Sequence, residues 1–141
     1  MSRYEMKLHH IGIAVKDIGA TAKLLSAFGY SAGLEKKDPA QRVNVCFMQK
    51  LGGGVPLELV ECIDTDSPVA GIISRNGTSV YHLCFEVNDI DEMVQSMRDE
   101  GYVPLGVKTH SVMNGCYVIF LFHPDNCLIE LVETQYETKS L

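Results

Sequence analysis

The chain has 141 residues, of which 46% are hydrophobic and 21% charged, and its net charge at pH 7 is −6. These values are typical of one compact globular domain and exclude a disordered chain. The acidic charge argues against a nucleic-acid surface, and the longest apolar run, YVIFLF at 117–122, is too short to span a membrane.

The five cysteines are an odd number, and none of them belongs to a C-x-x-C pair. They lie within apolar stretches, where a free cysteine behaves as a small hydrophobic residue. The opening residues, MSRYEMKLHH, lack the apolar core of a signal peptide. We therefore expect free thiols and a location in the reducing cytoplasm.

The sequence contains an internal repeat that appears when the chain is shifted by 72 residues. HIGIAVKDI at 10–18 then falls on HLCFEVNDI at 82–90, and LELVE at 57–61 falls on IELVE at 129–133. Repeats of this kind indicate a duplicated structural module. The sequence predicts a single domain of two modules, about 7–62 and about 79–134, joined by a connector at 63–78.

Each module has the pattern of a strand, a helix and three further strands. Asp17 and Asp89 follow the opening strands and are predicted to cap the helices, which end before Gly29 and Gly101. The later strands are predicted at 31–36, 43–50 and 55–62 in the first module, and at 103–108, 116–122 and 127–134 in the second. LGGG and HPDN are the turns before the last strands, and one short helical turn is expected at 68–75 in the connector.

Strand alternation places one histidine and one glutamate of each module on the same face of the sheet. On the opening strands the aliphatic residues alternate with His10 in the first module and with His82 in the second. On the last strands Glu58 and Glu130 lie between aliphatic residues that point to the core. Both modules therefore present an imidazole and a carboxylate on the face that the helix does not cover.

An approximate two-fold axis between the modules would bring these four side chains together. Two carboxylates that share a dry cavity are costly unless a cation neutralises them. Imidazole nitrogen and carboxylate oxygen suit divalent metals. The repeat predicts one divalent metal ion (cobalt, nickel, manganese or zinc) bound by His10, Glu58, His82 and Glu130, and no other cofactor.

The remaining histidines and the second pair of repeated glutamates are predicted to lie outside this site. His9 has the core-facing parity, His123 is expected to bond the backbone in a turn, and His110 is expected in a flexible surface loop. Glu61 and Glu133 lie at the ends of the same strands as Glu58 and Glu130 but point to the opposite face, and we expect them to be solvated.

The segments HHIGIAV, PLELVE, YHLCFEV and CLIELVE resemble the vicinal oxygen chelate superfamily, and the likeness covers about residues 7–134. The resemblance implies an α+β, glyoxalase-like fold in which two tandem βαβββ modules form a cupped, eight-stranded mixed sheet. Carried over position by position, the metal ligands of the superfamily fall on His10, Glu58, His82 and Glu130.

Within the superfamily, DSPVAGIISRNG and VIFLFHPDNCLIELVE are similar to segments of methylmalonyl-CoA epimerases. This likeness implies a metal-dependent isomerase, epimerase or lyase that moves the α-proton of a chelating substrate. It implies that Glu130 acts both as ligand and as base. It also implies a small-molecule substrate, such as an acyl-CoA, a 2-oxo or a 2-hydroxy compound, and a homodimer.

The chain departs from the epimerase pattern just before the strand predicted at 43–50. The pattern has a second catalytic glutamate there, whereas KKDPAQRVNV places Ala40 at that position, with Asp38 displaced and Gln41 unable to act as a base. Proton exchange on both faces of a carbon needs an acid or base on each face. The sequence therefore supports chemistry on one face of an enolate more directly than inversion of methylmalonyl-CoA.

Three other functions fit parts of the pattern. The ligand set also resembles glyoxalase I (lactoylglutathione lyase), which is the alternative enzyme. Extradiol-type dioxygenases use two histidines and one carboxylate around iron, and Glu58 would fill a position that substrate or oxygen needs. A non-catalytic small-molecule-binding protein of this fold is expected to lack the metal ligands that this chain has.

Overall fold

The computed structural model describes residues 6–112 and 115–133. In this part of the chain the strands and helices follow the predicted order, β-α-β-β-β twice, with a short helix between the two copies. The chain divides into two compact units, which we name the N-terminal unit (His10–Tyr81) and the C-terminal unit (the described residues before His10 and after Tyr81). No helix within the described residues is long and apolar enough to cross a membrane.

The N-terminal unit contains a four-stranded part of the sheet in the order β2-β3-β4-β1. Short turns join β2 to β3 and β3 to β4, so these pairs run antiparallel, whereas β1 runs parallel to β4. The element bounds are β1 (Lys7–Val15), α1 (Ile18–Ser26), β2 (Tyr30–Asp38), β3 (Val43–Lys50), β4 (Leu57–Cys62) and α2 (Ala70–Asn76). Helix α2 is the helical turn predicted in the connector.

The C-terminal unit repeats this arrangement with the strand order β5-β8-β7-β6. Its β5 runs parallel to β8, and the other pairs are antiparallel. The element bounds are β5 (Ser79–Val87), α3 (Ile90–Arg98), β6 (Val103–His110), β7 (Tyr117–Phe122) and β8 (Leu128–Glu133). Each unit combines parallel and antiparallel strand pairs with a helix, which confirms the predicted α+β fold class.

Helices α1 and α3 begin where the sequence predicts, because an aspartate caps each of them. The Asp17 carboxylate accepts a hydrogen bond from the backbone N of Ala20 at 2.9 Å, and the Asp89 carboxylate accepts one from the backbone N of Glu92 at 3.1 Å. Such bonds satisfy amide groups that the first helical turn leaves without partners.

One apolar face of α1 and one of α3 pack on the sheet face in their own units. In the N-terminal unit, Ile18, Ala22 and Leu25 of α1 join strand residues that include Val15 and Leu59. The C-terminal core is built in the same way from Val87, Ile90, Met93, Ile119, Leu121, Ile129 and Leu131, with Val94 and Met97 at its edge. The apolar residues of α1 and α3 therefore face the sheet, and the opposite sheet face is left for other side chains.

Two strands continue beyond their predicted ends. β2 runs to Asp38 and β6 runs to His110, in each case past an irregularity in the pairing with the neighbouring strand. The register shifts between Ala32 and Glu35 in β2, and between Leu105 and Thr109 in β6. A bulge of this kind interrupts side-chain alternation while allowing the pairing to resume beyond it.

Candidate metal centre

The N-terminal unit brings His10 and Glu58 together. His10 lies on β1, and Glu58 on the parallel strand β4 is paired with Gly12, two residues further along β1. The His10 Nε2 and Glu58 Oε1 atoms are 3.3 Å apart, and the two side chains are 5% and 14% exposed. Because Ile13 and Val15 pack with α1, this pair occupies the sheet face that α1 does not cover.

The C-terminal unit brings His82 and Glu130 together in the same way. His82 lies on β5, and Glu130 on β8 is paired with Cys84. The His82 Nε2 and Glu130 Oε1 atoms are also 3.3 Å apart, and the side chains are 1% and 10% exposed. The duplicated strands thus build the same buried imidazole–carboxylate pair twice, on equivalent strands.

The spacing within each pair fits two ligands of one metal ion. Ligand atoms about 2.1 Å from a cation lie about 3.4 Å apart in tetrahedral geometry and about 3.0 Å apart in octahedral geometry. Both atoms in each pair, a ring nitrogen and a carboxylate oxygen, are electron-pair donors when the histidine is neutral. Burial of such donors side by side is costly without a cation or a shared proton.

A phenylalanine stands beside each pair, and the sequence pattern does not predict it. Phe47 on β3 pairs with Glu58, and its ring lies 5.0 Å from that of His10 at 89°. In the C-terminal unit, Phe120 pairs with Glu130, and its ring lies 5.6 Å from that of His82 at 84°. The turn before β8 is one residue shorter than the turn before β4, so the ungapped repeat does not align the two phenylalanines.

The prediction that Glu61 and Glu133 are solvated is wrong. The Glu61 carboxylate accepts a hydrogen bond from the backbone N of Ile18 at 2.9 Å, and Glu133 accepts one from the backbone N of Ile90 at 2.9 Å. Both glutamates lie on the sheet face that carries the helix, where a helix N-terminus favours a negative charge. Each repeated segment therefore provides one glutamate for the candidate site and one for the start of a helix.

The histidines predicted to lie outside the site have partners of their own. His123 Nδ1 accepts a hydrogen bond from the backbone N of Asp125 at 3.0 Å, which confirms the predicted bond to the backbone. His110 ends strand β6 and does not lie in a loop, which corrects that prediction. Its ring stacks on Tyr117 at 4.1 Å, and its Nδ1 lies 2.7 Å from the carbonyl oxygen of Gly115.

Asp38 is a buried carboxylate, but it is far from the first pair. It accepts hydrogen bonds at 3.2 Å from the backbone N and the side-chain amide of Gln41, and it is 7% exposed. Asp38 pairs with Val43, four residues along β3 from the partner of Glu58. At about 3.4 Å per residue and 4.8 Å per strand, with two strand spacings between β2 and β4, Asp38 lies about 17 Å from Glu58. Its hydrogen bonds to Gln41 close the β2–β3 turn.

Cys46 and Asp64 are ionisable residues whose contacts lie away from the two His–Glu pairs. All five cysteines are free, as predicted, and burial raises the pKa of the Cys46 thiol, which keeps it protonated at neutral pH. The Arg42 guanidinium donates hydrogen bonds to Asp64, and these hold the pKa of that carboxyl below its usual range. Neither Cys46 nor Asp64 has the properties of a nucleophile or a general base poised near pH 7.

Comparison with known proteins gives the family. Residues 9–120 match the family model of the Glyoxalase/Bleomycin resistance protein/Dioxygenase superfamily. The mitochondrial methylmalonyl-CoA epimerase of Bos taurus is 30% identical over 131 residues, which cover 92% of this chain and 73% of that protein. An ethylmalonyl-CoA/methylmalonyl-CoA epimerase of Cereibacter sphaeroides is 30% identical over 131 residues, which cover 89% of this chain and 96% of that protein.

A solved structure agrees with these relatives. A variant of Streptomyces coelicolor methylmalonyl-CoA epimerase in complex with 2-nitronate-propionyl-CoA superposes with a TM-score of 0.78 at 30% identity. The match covers 92% of this chain and 97% of that one. The predicted glyoxalase-like fold and the prediction of an epimerase-type enzyme are confirmed. The chain belongs to the Glyoxalase/Bleomycin resistance protein/Dioxygenase superfamily.

Proposed function

We propose that this protein is a divalent-metal-dependent enzyme that moves the α-proton of an acyl-CoA thioester with a second carbonyl or carboxylate oxygen nearby. The relatives are named as epimerases of methylmalonyl-CoA or ethylmalonyl-CoA, and one was solved with 2-nitronate-propionyl-CoA. A nitronate resembles an enolate, because both carry negative charge on oxygen beside a trigonal carbon. The proposed reaction therefore passes through an enolate, which carries its negative charge on oxygen.

The repeated His–Glu pair is the observation that carries the proposal. Each pair offers a ring nitrogen and a carboxylate oxygen 3.3 Å apart, the spacing that one cation accepts. A single ion bound by His10, Glu58, His82 and Glu130 would neutralise both carboxylates. Two imidazoles and two carboxylates suit cobalt, nickel, manganese or zinc, and leave coordination positions for substrate oxygens.

Glu130 is the residue that moves the proton in this proposal. A bound metal supplies positive charge that stabilises the negative charge developing on the substrate oxygens. Glu130 removes the α-proton and holds it on a carboxylate oxygen. The residue is only 7% exposed, which limits competition from bulk water as a base, and the proton that it takes exchanges with solvent before one is returned to the carbon. His82 Nε2 lies 3.3 Å from a Glu130 carboxylate oxygen, so a cation held by both atoms would fix the position of the carboxylate.

This chain differs from the epimerase pattern in the residue that would act on the second face of the substrate carbon. Ala40 stands where that pattern has its second glutamate, and Asp38 closes a turn about 17 Å from Glu58. One carboxylate suffices to remove a proton and return it to the same face. We therefore expect exchange of the α-proton with solvent to be faster than inversion of the carbon.

Isotope exchange tests the proposal directly. Cobalt-loaded protein incubated in heavy water with one enantiomer of methylmalonyl-CoA is expected to incorporate deuterium at the α-carbon faster than that enantiomer is inverted. Mass spectrometry measures the deuterium, and a chiral assay measures the inversion. Removal of the metal with a chelator should reduce exchange to the rate of the protein-free control, and added cobalt should restore it.

The substrate panel in this experiment also includes 2-oxo and 2-hydroxy compounds and the hemithioacetal of glutathione. Faster turnover of the hemithioacetal than of any acyl-CoA would favour the lactoylglutathione lyase alternative. If no compound shows metal-dependent exchange, the proposal is contradicted.

A further inference from the structure

The two phenylalanines beside the candidate site form a repeated feature with no role in the proposed function. In each unit the phenylalanine is the cross-strand partner of the glutamate and touches the ring of the histidine. The two ring planes are nearly perpendicular in both units, at 89° and 84°. Because the same three residue types meet in both units, the arrangement follows from the duplicated module and not from one local accident of packing.

We propose that Phe47 and Phe120 are positioning residues that hold the imidazoles of His10 and His82 in the orientation needed to bind the metal. The inference rests on the proposed metal site. Neither phenyl group supplies a ligand atom, so each acts only through the histidine that it touches.

The geometry explains how a phenyl ring can do this. The direction of Nε2 depends on rotation about the bond between the imidazole ring and its Cβ atom, and that rotation is soft in histidine. A phenyl ring at 5.0 Å and nearly perpendicular to the imidazole of His10 occupies the space through which that ring would turn. Perpendicular aromatic pairs also attract each other, so the contact is favourable as well as restrictive.

The same location allows each phenylalanine to protect the pair from water. Phe47 projects from β3 directly beside Glu58, and Phe120 projects from β7 directly beside Glu130. A hydrocarbon ring at that position covers one side of the carboxylate without competing for its oxygen atoms. Loss of the ring would free the imidazole to rotate and would admit water to the ligand atoms.

Phe85 provides a matched control for a purely structural role. Phe85 lies on β5 between Cys84 and Glu86, which are on the same sheet face as His82. Its own side chain therefore points to the opposite face, where it packs at the edge of the core beneath α3. Like Phe47 and Phe120, it is half-buried. A substitution at Phe85 removes a comparable aromatic contact from the core without touching the His–Glu pairs.

Cobalt binding distinguishes positioning from packing. The variants Phe47→Leu, Phe120→Leu and Phe85→Leu are compared for cobalt affinity, for the visible absorption spectrum of the cobalt-loaded protein and for stability of the metal-free protein in urea. Phe47→Leu and Phe120→Leu are each expected to weaken cobalt binding about tenfold and to shift the absorption bands. Phe85→Leu is expected to lower stability while leaving cobalt affinity and spectrum unchanged.

Conservative variants cover the case in which a leucine variant does not fold. Phe47→Tyr and Phe120→Tyr keep an aromatic ring and should bind cobalt within about twofold of the original protein. If the folded leucine variants bind cobalt with the original affinity and spectrum, the positioning role is overturned. The role is likewise overturned if either tyrosine variant, folded, loses as much affinity as the leucine variant. A wild-type protein that binds no cobalt would instead overturn the metal site itself.

Discussion

Replacing Glu130 by glutamine is expected to lower the rate of metal-dependent α-proton exchange by a factor of about 10² to 10⁴. Glutamine has nearly the same shape as glutamate, but its amide cannot accept a proton at neutral pH. Glu130 is 7% exposed and lies 3.3 Å from His82 Nε2, so no solvent base has easy access to the same position. The exchange rate measured in heavy water with saturating cobalt checks this prediction.

The control for this substitution lies on the same strand. Glu133→Gln changes the same functional group three positions further along β8, on the other face of the sheet. Its amide oxygen can still accept the hydrogen bond from the backbone N of Ile90, so exchange should remain within about twofold of the original rate. Full exchange activity in folded, cobalt-loaded Glu130→Gln protein would show that another residue moves the proton.

Replacing Glu133 by alanine is expected to lower the free energy of unfolding by about 1.5–3 kcal/mol, the range for a hydrogen bond to a charged group. The carboxylate accepts a 2.9 Å bond from the backbone N of Ile90, the first residue of α3. Without it, the first turn of α3 loses both that bond and a favourable negative charge at the helix N-terminus. Urea unfolding of the metal-free protein at pH 7 measures the change.

Glu92→Ala is the matched control for this second prediction. Glu92 is also an acidic residue in the first turn of α3, but its side chain is exposed. Its loss is expected to cost at most about 1 kcal/mol, through the helix dipole alone. Exchange per folded molecule should be unchanged in Glu133→Ala. Equal stability of the Glu133→Ala variant and the original protein would contradict the capping role of this glutamate.

The order of the strands and helices could be predicted because the signals are local. An aspartate after a strand identifies the start of α1 and of α3, and Asp17 and Asp89 do cap these two helices. Alternation along a strand likewise predicts which face a residue occupies. For this reason His10 and Glu58 could be assigned to one face from their parity alone.

Features that depend on neighbouring strands and helices could not be predicted in this way. Parity places Glu61 and Glu133 on the helix face, but it does not reveal that the N-terminus of a helix lies within reach of each carboxylate. Phe47 and Phe120 correspond only when the unequal turns before β4 and β8 are taken into account. Both features require the pairing of strands in space, which a single sequence does not contain.

Anomalous X-ray diffraction from crystals of the cobalt-loaded protein, recorded at the cobalt absorption edge, shows whether a single ion is bound by both His–Glu pairs. We expect one strong peak per chain, coordinated by the Nε2 atoms of His10 and His82 and by carboxylate oxygens of Glu58 and Glu130. Two separate peaks, one at each His–Glu pair, or cobalt bound only elsewhere on the protein, would contradict this expectation.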